Sequence, residues 1–173
     1  MVIWITGLPG SGKTTVAKAL YQELINMQQQ VVLLDGDALR EALNNKQYEN
    51  SARKELALTY SRLAKMHSQQ GQTVICATVS MFDEVRDWNR QHIDDYLEVY
   101  LEVSKEVLLE RNQKGLYSKA EQGLVQNMLG FDLDFEAPKQ PDLVFNNNGQ
   151  LTPKQIIEKI VTSYSTKFKE SQL

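Results

Sequence analysis

A glycine-rich segment near the start of the chain has the residue types and spacing of a phosphate-binding loop. Residues 7–14 fit the pattern G-x-x-x-x-G-K-[ST] at every fixed position. Glycines let consecutive backbone N–H groups point at phosphate oxygens, and the helix that follows presents its positive end to the same anion. We expect Lys13 to reach the terminal phosphates of ATP and the Thr14 hydroxyl to bind Mg²⁺. The predicted ATP-binding residues of this segment are Gly7, Leu8, Pro9, Gly10, Ser11, Gly12, Lys13, Thr14 and Thr15.

Two carboxylates follow the second apolar run, as Asp35-Gly36-Asp37. The glycine permits a sharp turn, so that one carboxylate can help to hold Mg²⁺ while the other accepts the proton of an attacking hydroxyl. Arg40 follows on the same side of the helix that begins here and is a candidate to bind an anionic acceptor. The alternative is a solvated turn in which an aspartate only caps a helix. Because the third apolar run ends without a carboxylate, at Thr78 and Ser80, this pair must supply the acidic function.

The elements that must position these residues alternate between short apolar runs and longer segments of helical period. Apolar strands alternating with helices predict a parallel sheet covered on both faces, which is an α/β fold in three layers. Such sheets bind ligands beyond the carboxyl ends of their strands, so the phosphate loop, the acidic pair and Ser80 should converge. The predicted strands cover residues 2–5, 31–34, 73–79, 96–103 and 142–145, and the predicted helices cover 14–30, 51–70, 84–94, 104–110 and 153–167.

The segment from Lys114 to Pro141 fits no regular element. It contains three glycines and two prolines among many polar residues. Long irregular inserts in compact domains are usually functional. We therefore predict a lid over about residues 111–138 within a single domain of residues 1–173.

The composition limits the classes of function. Of 173 residues, 42% are hydrophobic and 24% charged, and the formal net charge is -3 without a long basic run. A nucleic-acid binder usually has a basic face, so nucleic acid is not an expected partner. No apolar run approaches the roughly 18 residues that span a bilayer, so a cytoplasmic protein without a membrane partner is expected. Cys76 is the single cysteine and lies in an apolar run, which indicates a buried thiol.

The motifs together resemble the adenylyl-sulfate kinase family, whose members phosphorylate the ribose 3′-hydroxyl of adenosine 5′-phosphosulfate. The resemblance runs from residue 1 to about residue 145, and the segment Lys114-Gly115-Leu116-Tyr117 is its most specific part. The other matching pieces are residues 7–15, 34–37, 98–100 and 111–113, with Arg40, Arg53, Ser80, Lys119, Ala120, Gly130, Asp132, Glu136, Pro138, Pro141 and Asp142.

The resemblance implies a P-loop kinase that uses ATP and Mg²⁺, and it assigns roles to individual residues. It makes Asp37 the acceptor-facing carboxylate, with Asp35 and Thr14 on the metal side. Lys13, Asp35, Asp37 and Ser80 form the implied catalytic set, and Ser80 matches a serine that the family proposes as a phosphoserine. Arg111, Lys114 and Lys119 resemble lid residues, and Arg111 is an implied ATP contact. The implied acceptor-binding residues are Asp37, Arg40, Tyr48, Arg53, Ser80, Lys114, Gly115, Leu116, Tyr117, Met128 and Phe131.

Several positions depart from the family pattern around the acceptor. Family members carry an asparagine and two arginines where this chain has Leu56, Leu58 and Thr59. They clamp the acceptor's adenine between two phenylalanines, where this chain has Tyr48 and Met128. Each lost polar contact to a charged group is worth about 1.5–3 kcal/mol, so other residues must compensate if the acceptor is unchanged. The residues that can compensate are Tyr60, Arg62 and Arg90, and Arg86 is a further candidate to face the site.

If nothing compensates, the acceptor differs. A branch of the family that is associated with capsule modification resembles this chain and acts on cytidine diphosphoramidate, again at the ribose 3′-hydroxyl. Adenylyl sulfate and cytidine diphosphoramidate therefore both remain candidate acceptors. Two other classes are a nucleotide-dependent switch and a small-molecule kinase of the shikimate or gluconate type. The Lys114–Tyr117 segment and the acidic pair favour a kinase over the switch. A shikimate or gluconate acceptor would lack a base, so Tyr48, Met128 and Phe131 would need no stacking role. The assembly is left open, with a homodimer as the candidate.

Overall fold

The chain forms a five-stranded sheet with helices on both faces. The computed structural model describes residues 1–112, 115–124 and 128–170. Within these residues the strands are β1 (Val2–Thr6), β2 (Val31–Asp35), β3 (Thr73–Ala77), β4 (Tyr96–Glu102) and β5 (Leu143–Asn146). The helices are α1 (Lys13–Asn26), α2 (Gly36–Ala42), α3 (Asn50–Gln69), α4 (Asp83–His92), α5 (Lys105–Arg111), α6 (Leu116–Glu121) and α7 (Pro153–Glu170).

The strand order is β2-β3-β1-β4-β5, and every pair of neighbours is parallel. Successive side chains of a strand point to opposite faces, so each strand contributes to two cores. Ile3 and Ile5 pack with residues of α1 and α7, whereas Val2 and Trp4 pack with residues of α3 and α4. The predicted three-layer P-loop fold is confirmed.

The parallel arrangement brings the carboxyl ends of β1, β2 and β3 to one edge of the sheet. Ile5 is in register with Ala77, and Ala77 is in register with Asp35. The loops that leave these three strands therefore start side by side. The predicted convergence at this edge is confirmed for the phosphate loop and the acidic pair.

The first helix is shorter than the sequence suggests. It ends at Asn26, and Gln28 has a left-handed φ of 60°. The predicted end at residue 30 is therefore wrong. Met27, which shares the helical period of Leu20 and Leu24, is 39% exposed rather than part of the core.

The predicted irregular segment from 114 to 141 contains a helix. Asn112 and Gly115 have left-handed φ values of 34° and 66°, and α6 begins directly after Gly115. The Asn112 side chain accepts a hydrogen bond from the Ser118 N–H at 3.1 Å and donates one to the Ser118 hydroxyl at 3.0 Å. Tyr117 and Ala120 of this helix belong to a third apolar cluster, which also includes Leu8.

Among the described residues, no helix is both long and apolar enough to cross a membrane.

The helices α5 and α7 each begin at a side-chain cap. The Ser104 hydroxyl accepts from the Val107 N–H at 3.5 Å, and the Thr152 hydroxyl accepts from the Gln155 N–H at 3.3 Å.

Candidate active site

The phosphate loop is tightly bent between β1 and α1. Gly7 has a φ of 152°, and a Cβ there would lie 2.6 Å from the carbonyl oxygen of Leu101. Lys13 is buried, and its Nζ donates to the carbonyl oxygen of Leu8 at 2.8 Å. Burial lowers the pKa of Lys13 to about 7, against the attraction of Asp37 and Asp35. Burial of the only lysine in the loop disfavours its charged form, and a bound anion would stabilise that form.

The acidic turn touches the phosphate loop through Asp35. The Thr14 hydroxyl donates to Asp35 Oδ2 at 2.9 Å. Asp35 Oδ1 accepts from the backbone N–H groups of Asp37 at 3.1 Å and Ala38 at 3.4 Å, which caps α2. The helix cap, which the sequence offered as the alternative to a functional role, therefore occurs in the same carboxylate that contacts the phosphate loop.

The turn is held on two further sides. A Cβ on Gly36 would meet the Thr78 hydroxyl at 3.2 Å and the Ala77 carbonyl oxygen at 3.3 Å, so the backbone lies directly on the end of β3. The Tyr60 hydroxyl donates to the Gly36 carbonyl oxygen at 3.3 Å. Burial raises the pKa of Tyr60 to about 12, so this hydroxyl remains a donor at neutral pH. The position of Asp37 is consequently fixed from β3 and from α3.

A cavity of about 1010 Å³ opens beside the phosphate loop and the acidic turn. This volume is at the upper end of the range for small-molecule sites, as expected where two ligands meet. Charged and polar side chains reach it from α1 and α2, and apolar side chains reach it from the segment after α5. The predicted site residues that line it are Pro9, Gly10, Gly12, Lys13, Thr14, Thr15, Asp35, Asp37, Arg40, Tyr48, Arg53, Leu116 and Met128.

Two arginines surround Tyr48 at the wall of this cavity. The guanidinium carbons of Arg40 and Arg53 lie 4.6 Å and 5.2 Å from the centre of the Tyr48 ring. Arg53 Nε donates to the Tyr48 carbonyl oxygen at 2.7 Å, and Arg40 Nη1 donates to Gln47 O and Asn45 Oδ1, each at 2.9 Å. Burial and then the positive charge of Arg40 lower the pKa of Arg53. The pair creates a positive field that an anionic group would relieve.

The departures from the family pattern affect the cavity unequally. Leu56 lines it, whereas Leu58 and Thr59 do not. Among the residues expected to compensate, Tyr60 lines the cavity. Arg62 does not, because it pairs with Glu55 at 3.3 Å on the exposed side of α3.

Arg86 and Arg90 also lie away from the cavity. Both contact Glu98, at 3.7 Å and 2.7 Å. They also donate to backbone carbonyl oxygens in the segment that leads into β5, Arg86 to Glu136 and Arg90 to Gln140, each at 2.7 Å. The expectation that Arg86 faces the site and that Arg90 compensates there is therefore wrong, because the buried carboxylate holds both arginines.

The other predicted residues among those that the structure describes lie outside the lining of this cavity, and they are Gly7, Leu8, Ser11, Ser80, Arg111, Gly115, Tyr117 and Phe131. Ser80 is fully buried, and its hydroxyl has no hydrogen-bond partner within the described residues. The Tyr117 hydroxyl donates to the Pro9 carbonyl oxygen at 2.8 Å, which ties α6 to the phosphate loop. Phe131 lies 5.9 Å from Lys105 Nζ, and Gly115 precedes α6. Lys114 lies outside the described residues.

A second cavity of about 410 Å³ lies on the other side of the phosphate loop, between Gly12, Arg111 and Asn147. Arg111 Nη1 donates to the Gly10 carbonyl oxygen at 3.2 Å, and Nη2 donates to the Asn147 carbonyl oxygen at 2.6 Å. Arg111 thus lies against the phosphate loop, and its contact with ATP stays a prediction. Asn147 was not expected here, although it follows the last strand at the ligand-binding edge of the sheet.

The comparisons with known proteins agree with this geometry. Residues 1–146 match the family described as adenylylsulphate kinase. The chain is 41% identical over 160 residues to a cytidine diphosphoramidate kinase of Campylobacter jejuni, which covers 92% of this chain and 94% of the relative. It is 38% identical over 149 residues to an adenylyl-sulfate kinase of Bacillus velezensis, which covers 84% and 76%.

One similar solved structure is that of the Mycobacterium tuberculosis APS kinase CysC in complex with AMPPNP and APS. Its TM-score is 0.87 at 28% identity, and the match covers 93% of this chain and 95% of that one.

Proposed function

This chain belongs to the adenylylsulphate kinase family and is a kinase, and we propose that it transfers the γ-phosphate of ATP to the ribose 3′-hydroxyl of a nucleotide-linked small acceptor. The observation that carries the proposal is that the phosphate loop, Asp37 and the Arg40–Arg53 pair all line one cavity. A phosphate donor, a proton acceptor and an anion-binding wall therefore meet in one space. A nucleotide-dependent switch needs no such wall for a second ligand.

The reaction divides between the two ends of the cavity. The ATP phosphates lie on the phosphate loop with Lys13 leaving Leu8 to contact them, and the base lies toward Arg111. Asp37 accepts the proton of the attacking hydroxyl as the new P–O bond forms and the bond to ADP breaks. Arg40 and Arg53 hold the anionic group on the 5′ side of the acceptor, which orients its ribose.

Magnesium fits the acidic end of this arrangement. Mg²⁺ prefers oxygen ligands and keeps several waters, so a site needs only one or two protein oxygens next to the phosphates. Thr14 Oγ1 and Asp35 Oδ2, which lie 2.9 Å apart at the mouth of the loop, provide such oxygens. When bound, the ion neutralises charge on the transferred phosphoryl group, while Asp35 keeps the acidic turn next to the loop.

Adenylyl sulfate is the acceptor that the family as a whole implies. Its adenine would lie near Tyr48 and Met128, which stand where the family has two phenylalanines. A segment after α5 that includes Leu116 and Met128 closes over the acceptor as a lid within about residues 111–138. A homodimer stays a prediction from the sequence.

Cytidine diphosphoramidate is the second candidate acceptor. The relative named for this substrate is 41% identical and matches 92% of this chain, against 38% and 84% for the Bacillus velezensis adenylyl-sulfate kinase. Leu56 places an apolar side chain in the cavity where the family has an asparagine, and Tyr60 adds a phenol beside it. These changes favour an acceptor other than adenylyl sulfate.

The decisive test compares the two acceptors with one enzyme preparation. ADP formation and product mapping should show phosphate on the ribose 3′ position, and kcat/KM should be higher for cytidine diphosphoramidate than for adenylyl sulfate. A clear preference for adenylyl sulfate would discard the second candidate. Phosphate at any other position would contradict the proposed reaction.

Variants of the two carboxylates test the mechanism in the same assay. Asp37→Asn keeps the size of the side chain but cannot take a proton, so turnover should fall by about 10² to 10⁴ while ATP binding persists. Asp35→Asn should instead raise the Mg²⁺ concentration that half-maximal turnover requires, because the proposed metal site loses a carboxylate. A larger loss of turnover in Asp35→Asn than in Asp37→Asn would reverse the two roles.

A further inference from the structure

The asparagine run after β5 contacts the phosphate loop beside the second cavity, which lies between Gly12, Arg111 and Asn147. Asn147 Nδ2 donates to the carbonyl oxygen of Ser11 at 2.8 Å. The identity of the amide atom is fixed by its partner, because a main-chain carbonyl only accepts. Asn147 is itself held at both main-chain atoms, since its N–H donates to Glu102 O at 2.8 Å and its carbonyl accepts from Arg111.

The contact fixes one peptide plane of the phosphate loop. In a trans peptide the C=O and the following N–H point in opposite directions. The Asn147 amide draws the Ser11 carbonyl oxygen toward β5, so the N–H of Gly12 is turned away from β5. Backbone N–H groups of such loops bind phosphate, so the direction of this one sets part of the cradle.

Gly12 shows how closely the asparagine approaches. A Cβ on Gly12 would lie 2.8 Å from Asn147 Nδ2, and the φ of Gly12 is 94°. The loop and the amide therefore fit together only with glycine at this position.

We propose that Asn147 is a positioning residue for the phosphates of ATP, and that it acts through the peptide between Ser11 and Gly12. The proposal rests on the proposed function only in taking ATP as the ligand. Removing the amide should weaken binding of the phosphates without changing the chemical step, because Asp37 and the acceptor wall lie on the other cavity.

The neighbouring asparagine provides a matched control. Asn148 Oδ1 accepts from the Ser104 N–H at 2.9 Å and so supports the start of α5 instead of the phosphate loop. Asn147→Ala and Asn148→Ala thus remove the same atoms from adjacent positions of one turn. Asn147→Asp and Asn148→Asp form a second pair of unchanged size, in which the first loses a required donor and the second keeps its acceptor.

The experiment measures dissociation constants of Mg²⁺-ATP and of Mg²⁺-tripolyphosphate by calorimetry, and kcat at saturating ATP. Asn147→Ala should raise both dissociation constants about five- to tenfold, the effect of one hydrogen bond, and leave kcat within about twofold. Asn147→Asp should raise them at least as much, because two acceptor oxygens then face each other. The Asn148 variants should bind both ligands as the wild type does.

Two results would overturn the proposal. A loss confined to ATP, with tripolyphosphate unaffected, would make Asn147 a contact of the base. Wild-type affinity for both ligands in both Asn147 variants would remove its role altogether. These binding measurements need no acceptor, so they stand apart from a failure of the proposed phosphoryl transfer.

Discussion

At the scale of single residues, burial brings the pKa of Lys13 close to neutral pH, so this side chain can gain a proton when a ligand binds. Its pKa is lowered to about 7, so at pH 8 most of the free protein carries a neutral Lys13. The phosphates of ATP restore the charged form because they supply opposite charge. Between pH 7 and the unfolded value of 10.5, the unfolded chain binds more protons here than the folded chain. The contribution of Lys13 therefore makes stability rise with pH in that window.

We expect ATP binding at pH 8 to take up close to one proton. Calorimetry in buffers of different ionisation enthalpy measures this uptake directly. Lys18→Met is the matched control, because Lys18 is exposed on the same helix and should leave the uptake unchanged. Binding without any proton uptake would contradict the neutral state of Lys13.

Residue types and spacing predict the local parts of the site. The phosphate loop and the acidic pair are short continuous motifs that follow strands, so both could be placed before the structure was known. The partners of Thr78 and Asn147 could not, because Gly36 and Ser11, which these two side chains approach, lie 42 and 136 positions away in the chain. Such contacts depend on strand order and on the direction of one side chain, and neither produces a periodic signal.

At the scale of elements, the segment after α5 has a packed part and an anchored end. Tyr117 ties α6 to the phosphate loop. Leu124, three residues after the end of α6, is 70% exposed and lines the cavity. The anchored end begins at Glu136, whose carboxylate accepts from the Asp83 N–H at 2.6 Å and whose N–H donates to Met81 O at 3.1 Å. The proposed lid therefore has its fixed end two residues before its predicted limit at residue 138.

We predict that binding of ATP and acceptor slows amide hydrogen exchange over residues 116–124. The physical reason is that closure removes exposed backbone from water, as in other lids. The Glu136 amide is an internal control, because its bond to Met81 exists without ligand and its exchange should not change. Exchange over 116–124 that stays the same in the ternary complex would rule out a lid.

The helix α6 shows where element prediction fails. It has six residues between glycines, which is too short to display a period of 3.6 residues. Its start depends on the left-handed Asn112 and on the bond from Ser118, which are tertiary details of one turn. By contrast, α3 spans 20 residues with a clear apolar face, and its predicted bounds differ by one residue at each end.

At the scale of the whole molecule, Glu98 joins parts of the chain that are distant in sequence. Its side chain is 2% exposed and contacts Arg90 and Arg86 of α4. Its backbone N–H donates to Asp142 at 2.8 Å, and Asp142 pairs with Lys167 of α7 at 2.7 Å. Burial raises the pKa of Glu98, against the attraction of Arg90.

Removing this charge should destabilise the protein, because Arg86 and Arg90 lose their shared buried carboxylate and keep only the more exposed Asp83 and Asp142 as ion-pair partners. We expect Glu98→Gln to lower the free energy of unfolding by about 3 kcal/mol or more, as for other broken buried pairs. Glu84→Gln breaks an exposed pair with Lys54 and should cost much less, because water already screens that pair. Urea denaturation of both variants measures the difference, and equal losses would show that the buried carboxylate contributes no more than a surface one.

The place of β1 in the sheet has a consequence for how the protein is made. The first strand of the sequence lies at the centre, where Val2 pairs with both Val74 and Tyr96. On a ribosome that adds about 5–20 residues per second, the nascent β1 must wait several seconds for its neighbours to be synthesised. The apolar residues 2–5 are exposed during that interval, so early synthesis is the period in which this chain most needs a chaperone.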